Sequence, residues 1–278
     1  TDTWQIIDSN GKRVPRFHDA YRSFGGKFNI GFTDVRWADQ FLIGAVLSQS
    51  YNEIQNGATM RVVYGDRHSR RASDVFTIDY SKKDFLVDGL VLRVDGSYSI
   101  LNRQIIDTVG IRHDWAGPII KDGEYIYYYS AGEIGAEGGG RKTAAIDKDY
   151  ATMMRGSLHY QFNENHSLHA NYMFNDFRRK VSDEFQPAAL QALANTRDLQ
   201  KNIASLTYEN TSFSGRLRTN LFYKHYFQTV TANEPMLVDG QYVLDRFRKK
   251  INHNGFGATF SFALMPDLFV LASAEKAL

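Results

Sequence analysis

Alternation with a period of two, sustained over about ten residues and repeated along the chain, limits this protein's fold more than any other feature. Arg155, Ser157, His159 and Gln161 fall on one parity; Met154, Gly156, Leu158, Tyr160 and Phe162 fall on the other. Successive side chains of a strand point to opposite faces, so this pattern sets a polar wall against an apolar one. Leu168, Ala170, Tyr172 and Phe174 repeat it against His169, Asn171 and Asn175. So do Arg93, Asp95, Ser97 and Ser99 against Leu92, Val94, Gly96, Tyr98 and Ile100. Near the end, Arg216, Arg218, Asn220 and Lys224 alternate with Leu217, Leu221 and Tyr223, and Gly255, Gly257, Thr259 and Ser261 with Phe256, Ala258, Phe260 and Phe262. Helical period is confined to 187–195. The chain is expected to be all-β, with roughly ten strands over 18–32, 40–50, 58–81, 89–105, 150–162, 167–177, 201–210, 216–228, 252–263 and 268–276. The third is too long for one strand, and Asp66–Arg71 is a candidate break.

Connection lengths alternate as well. Short ones are expected at 33–39, 82–88, 163–166, 211–214 and 265–267, and long ones at 49–72, 106–149, 176–201 and 229–250. An antiparallel up-and-down meander with tight turns at one end and large loops at the other has this rhythm, as transmembrane β-barrels do. A spanning strand needs about 9–11 residues, which the segments supply. A charge facing lipid at mid-depth costs about 2–4 kcal/mol, which favours Arg93, Asp95, Arg155, Arg216 and Arg218 all on the opposite parity. Phe32, Tyr80, Tyr160 and Phe162 flank the short turns, where rings can sit at headgroup level. The same aromatics could instead fill the core of a sandwich.

Composition removes several classes. The 278 residues carry 33 Lys+Arg against 31 Asp+Glu, a formal net charge of +2, without the basic excess of an electrostatic nucleic-acid binder. There is no cysteine, hence no disulfide scaffold, thiolate zinc site or thiol nucleophile. No apolar run reaches the roughly 18 residues of a membrane helix.

Three segments carry a family resemblance. Ser81-Lys82-Lys83-Asp84-Phe85-Leu86-Val87-Asp88-Gly89-Leu90, followed by an alternating strand, resembles a periplasmic hairpin of TonB-dependent outer-membrane receptors, particularly those of Bacteroidetes type. Ser273-Ala274-Glu275-Lys276-Ala277 resembles the start of that family's Ser-Ala-Glu-Lys-Ala-Tyr-Arg segment. Gly31-Phe32-Thr33-Asp34 through Phe41-Leu42-Ile43-Gly44 resembles one of its barrel hairpins. The strand-and-turn rhythm extends the likeness from about His18 onward. The family's barrel has about 22 strands and a plugged lumen. The resemblance therefore implies that residues 1–278 are the middle part of a receptor barrel, with plug domain and closing strands absent from this segment. It further implies the outer membrane of a Gram-negative bacterium, with outer-membrane lipid, the receptor's own plug and TonB as partners.

No enzyme constellation is expected, and no cofactor or metal. Gly135-Ala-Glu-Gly-Gly-Gly140-Arg141-Lys142-Thr143 misses the phosphate-binding loop by one residue, because Arg141 separates Gly from Lys-Thr. His113 stands without a second histidine nearby, and His166 and His169 follow no ligand spacing; all three are expected to be solvated or lumen-facing. Gly-x-Ser-x-Gly is absent, and Asp183/Glu184 is an unspecific carboxylate pair. Pro187–Ala194 is expected to form a short helix with Pro in its first turn. Candidate ligand contacts are Tyr125, Tyr127, Tyr128 and Tyr129, with Arg141, in the 106–149 loop. Aromatic rings there could stack on a sugar or a siderophore catechol, or simply form a loop hairpin.

The function expected is TonB-energised uptake of a scarce nutrient: a ferric chelate, cobalamin or an oligosaccharide. A passive porin or adhesin barrel is the first alternative, and a soluble all-β glycan-binding module the second.

Overall fold

Ten alternating segments pair each with its neighbour in sequence, so local strand preference and topology agree throughout. The computed structural model describes residues 5–6, 13–58, 60, 62–125, 136–137, 142–193 and 195–277. The strands are β1 (Tyr21–Val35), β2 (Ala38–Glu53), β3 (His68–Lys82), β4 (Leu90–Ile106), β5 (Ile146–Asn163), β6 (His166–Ser182), β7 (Asn195–Ser212), β8 (Leu217–Val238), β9 (Gln241–Met265) and β10 (Leu268–Ala277). They form one antiparallel up-and-down sheet whose order follows the chain, with β1 and β10 at its two edges. This is the expected meander, open rather than closed.

All five short connections form where the sequence indicates. Their geometry is local: Asp34 takes φ 56°, and Phe213, Ser214 and Gly215 take 54°, 53° and 87°. Arg216, expected on the polar face of a strand, instead lies in that last turn, its amide donating to Phe213 O at 3.1 Å and its carbonyl accepting from Ala263.

Of the four long connections, the one between β4, ending at Ile106, and β5, starting at Ile146, lies where expected; the other three differ. The described residues of 58–67 are loop, and β3 begins only at His68, inside the Asp66–Arg71 stretch that is the candidate break. Residues 229–250 are no loop. The β8–β9 ladder runs unbroken to Val238↔Gln241 and closes on Asp239-Gly240. Both take positive φ, 49° and 79°, the two-residue turn whose twist matches antiparallel strands. Likewise β6 and β7 consume most of 176–201, leaving residues 183–193 between them, where the helix is shorter than expected: α1, Ala188–Gln191, with Pro187 at its N-cap.

Cross-strand register fixes which side chains share a face. One face carries Ile30, Ile43, Ile78, Gly96, Met154 and Phe174 in a single row. Another row of that face holds Leu92, Leu158, Ala170, Leu206, Tyr223 and Phe256. No second layer covers this face among the described residues: Leu221, Phe256 and Phe260 are 48%, 47% and 45% exposed. Buried apolar residues are few and sit mostly in the loops, as with Val63, Tyr64 and Ala144. At the short-turn end Trp37 packs edge-on against Phe32 and Phe41, and Tyr160 against Phe162, an aromatic margin to the apolar face.

The opposite face is polar, and several of its charges are paired between strands. Arg155 meets Asp95 at 3.1 Å, Arg103 meets Asp147 at 2.6 Å, and Arg179 grips Asp149 through two bonds of 2.6 Å. Glu209 faces Arg218, Lys224 faces Glu275, and Arg197 faces Glu234. At about 3.3 Å per residue, the 25 residues of β9 reach roughly 80 Å, against an apolar band about 25 Å tall in membrane barrels. The surplus lies at the long-loop end, where Arg246, Arg248 and Lys250 replace the phenylalanines on the same parity.

Candidate functional site

Loop residues far apart in sequence converge above the β1–β4 end of the sheet. Gln55, only 1% exposed, accepts the amides of Phe17 and His18 at 2.8 and 2.7 Å and donates to Tyr64 O. His18 Nε2 reaches Arg67 O at 2.6 Å. This ties the segment before β1 to the loop between β2 and β3.

The centre of the cluster is Glu137, 2% exposed. Its Oε1 accepts the Gly65 amide at 2.7 Å and lies 2.7 Å from His113 Nδ1. Its Oε2 accepts the amides of Asp66 and Arg67, both at 2.8 Å. Nδ1 is also 3.0 Å from Ile111 O, and between two oxygen acceptors only a protonated nitrogen fits. The Glu137 amide in turn donates to Asp107 Oδ1 at 2.7 Å. Asp107 is 3% exposed, and its Oδ2 lies 3.6 Å from Arg67 Nε. Gly65 is needed here, because a Cβ at that position would run into the His113 imidazole. His113, expected to be solvated or lumen-facing, is thus half-buried and locked into a loop clasp.

Asp66, His113 and Glu137 each bring a donor atom within 4.8 Å of the others, the spacing of a metal trio. An ionised carboxylate offers about four lone-pair directions, and four N–H groups already meet those of Glu137. A cation would have to displace them. The cluster is therefore a carboxylate seated in a nest of amides that joins two loops.

A second anchor holds the β6–β7 connection. Asp183 accepts the Thr143 hydroxyl at 2.6 Å, the Ala144 and Phe185 amides at 3.1 Å each, and Gln186 Nε2 at 3.2 Å. Burial alone would raise its pKa, but these four bonds outweigh it and hold the carboxyl below its ordinary 3.8. Thr143, the would-be phosphate ligand of the glycine-rich stretch, is committed to Asp183 and to the bridge with Asp107.

The remaining sequence candidates do not converge. Tyr125 pairs through its backbone with Ile120 in a two-stranded ribbon. Tyr127, Tyr128, Tyr129 and Arg141 lie outside the described residues. His166 bonds Tyr208 on the apolar-face parity, at 2.5 Å, whereas His169 stacks on His159 at 4.2 Å on the polar face, so the two cannot share a ligand. The Glu137 clasp escaped sequence reasoning, because its partners lie 70–72 residues apart.

No family model and no curated protein matches this sequence. Among solved structures, the chain is similar to a double mutant of the Serratia marcescens hemophore receptor HasR, in complex with its hemophore HasA and heme. The likeness covers 98% of this chain and 38% of that one, at 12% identity and a TM-score of 0.51. At that identity it is a likeness of fold.

Proposed function

We propose that this chain is a wall segment of a TonB-dependent outer-membrane receptor, its sheet part of a larger barrel of about 22 strands. One observation carries the reading: a sheet with an uncovered apolar face, a polar face of paired charges, short turns at one end and anchored loops at the other. A water-soluble sheet exposing that apolar face would aggregate; hydrocarbon would cover it without a second protein layer. The fold shared with a hemophore receptor supports the same reading, as do the hairpin 81–90 and the segment 273–277. On this reading the plug lies in another part of the receptor, TonB supplies energy through it, and the outer loops meet the ligand. Ferric chelates, cobalamin and oligosaccharides are the ligand classes proposed, and the heme bound by the similar receptor adds iron porphyrins to the first. The Bacteroidetes-type hairpin resemblance carries no ligand of its own.

Dilution of the urea-unfolded chain into phosphatidylcholine vesicles tests the membrane step. Strand signal in circular dichroism and protease-resistant fragments spanning the strands are expected only with vesicles present. A monodisperse, cooperatively melting protein in plain buffer would overturn the reading in favour of a soluble β-module. Uptake is tested separately, by removing 106–149 from the intact receptor. Unchanged ligand binding and transport would take that loop out of the site.

A further inference from the structure

On the polar face two imidazoles meet with their nitrogens uncommitted. His159 on β5 and His169 on β6 are direct cross-strand partners, close to the tight turn between Asn163 and His166. Opposed side chains of an antiparallel pair have Cβ atoms about 4.5–5.5 Å apart, so register alone brings the two rings into contact. They stack with centroids 4.2 Å apart and planes inclined by only 6°.

What the nitrogens touch sets this pair apart from Asp66, His113 and Glu137, where N–H donors already fill the carboxylate. The His159 ring makes no side-chain hydrogen bond among the described residues. His169 Nε2 has two distant oxygens near it, Ser167 Oγ at 3.3 Å and Glu209 Oε2 at 3.7 Å. Arg218 Nε holds Glu209 Oε1 at 3.3 Å, which leaves Oε2 to face the imidazole. The His169 side chain is 35% exposed, so an ion can reach it from solvent. The flanking positions on this face, Val91, Ser157, Gln161, Ser167, Asn171 and Thr207, are all uncharged. Arg93, diagonal to His159, and Glu209, diagonal to His169, are the charges that face the pair from β4 and β7.

A neutral imidazole nitrogen binds zinc at about 2.0–2.1 Å, and copper and nickel suit the same donor. Two such bonds at a tetrahedral angle put the nitrogens about 3.3 Å apart. Rings stacked at 4.2 Å reach that spacing by a small tilt of the side chains.

We propose that His159 and His169 chelate a late first-row divalent metal ion, Zn2+, Ni2+ or Cu2+, on the polar face. Glu209 Oε2 closes on the ion as a third ligand, Arg218 steadies that carboxylate, and water completes the shell. The ion staples β5 to β6 beside their turn. The inference goes beyond the receptor reading and needs only the β5–β6 register.

The test titrates Zn2+ against a chromophoric chelator with the chain folded in phosphatidylcholine vesicles. One ion per chain is expected. His159→Ala and His169→Ala should each lower the affinity on the order of a hundredfold, since losing even an outer-shell partner costs about 10–100-fold. The double variant should lose no more than either single one, because one histidine alone cannot chelate. His225→Ala, whose Nδ1 lies 2.7 Å from Asn254 Oδ1 on the other face, should leave the affinity unchanged. Because a variant can disturb folding, two readings use the unaltered chain. Cu2+ paramagnetic resonance should show splitting from two imidazole nitrogens. Zn2+ at about 100 times its Kd should raise the folded-to-unfolded ratio in urea about a hundredfold. Splitting from a single nitrogen, no shift in urea, additive losses in the two single variants, or an equal loss in His225→Ala would each overturn the proposal.

Discussion

Replacing Glu137 by Gln isolates the loop clasp from the sheet. The side chain keeps its size but exchanges one carboxylate oxygen for an NH2 group. Whichever oxygen is lost, two donors then face another donor: Gly65 N and His113 Nδ1 on one side, or the Asp66 and Arg67 amides on the other. Hydrogen bonds to charged groups contribute about 1.5–3 kcal/mol each, so losing two in a site 2% exposed costs about 3–6 kcal/mol. The cost falls on the clasp, because the sheet is held by its own ladders and the loop touches only one end. Hydrogen exchange at the Gly65, Asp66 and Arg67 amides is the direct assay. A local opening penalty reduced by about 3 kcal/mol speeds exchange on the order of a hundredfold, until opening is no longer limiting. Amides in β5 and β6 should keep their rates. Unchanged exchange at 65–67 would refute the nest, and equal acceleration throughout the sheet would refute its local character.

Leu206→Arg, on the exposed apolar face, is expected to lower folding stability in vesicles by about 2–4 kcal/mol if it sits at mid-depth. Ser205→Arg, one residue away on the polar face, should cost much less; urea titration in vesicles compares them, and equal costs would contradict the assignment of faces. Asp183 has a folded-state pKa below its ordinary 3.8, so its bonds contribute fully above that value and are lost as pH falls through the lowered one. Proteolysis at 184–193 should therefore accelerate below about pH 3.8, and Asp183→Asn should already be fast at neutral pH; a variant as resistant as the unaltered chain would remove Asp183 as the anchor. Gly240→Val, at φ 79°, should loosen the β8–β9 tip by about 1 kcal/mol or more, seen as faster exchange of Val238 and Gln241 with β8 below Thr229 unchanged.

Features with a local cause are legible in the order of residues alone. The period-two parity of 154–162 and 168–174 sorts side chains to two faces because strand geometry alternates them wherever the strand ends up. All five tight turns were legible from short polar interruptions. The strand ends were not: above the apolar band, 229–238 and 241–250 continue the ladder with polar and apolar residues mixed on both faces, where alternation is silent. Asp239-Gly240 was the available signal, since that dipeptide favours the tight turn that closes the hairpin. Tertiary structure alone decided which residues meet across the loops and between strands. Gly65, Asp107, His113 and Glu137 share a clasp only because the meander returns residues 65–67, 107–113 and 137 to the same end of the sheet. The ion pairs Arg103–Asp147 and Arg179–Asp149 form only through register, which is set by pairing between strands and is invisible within any one of them.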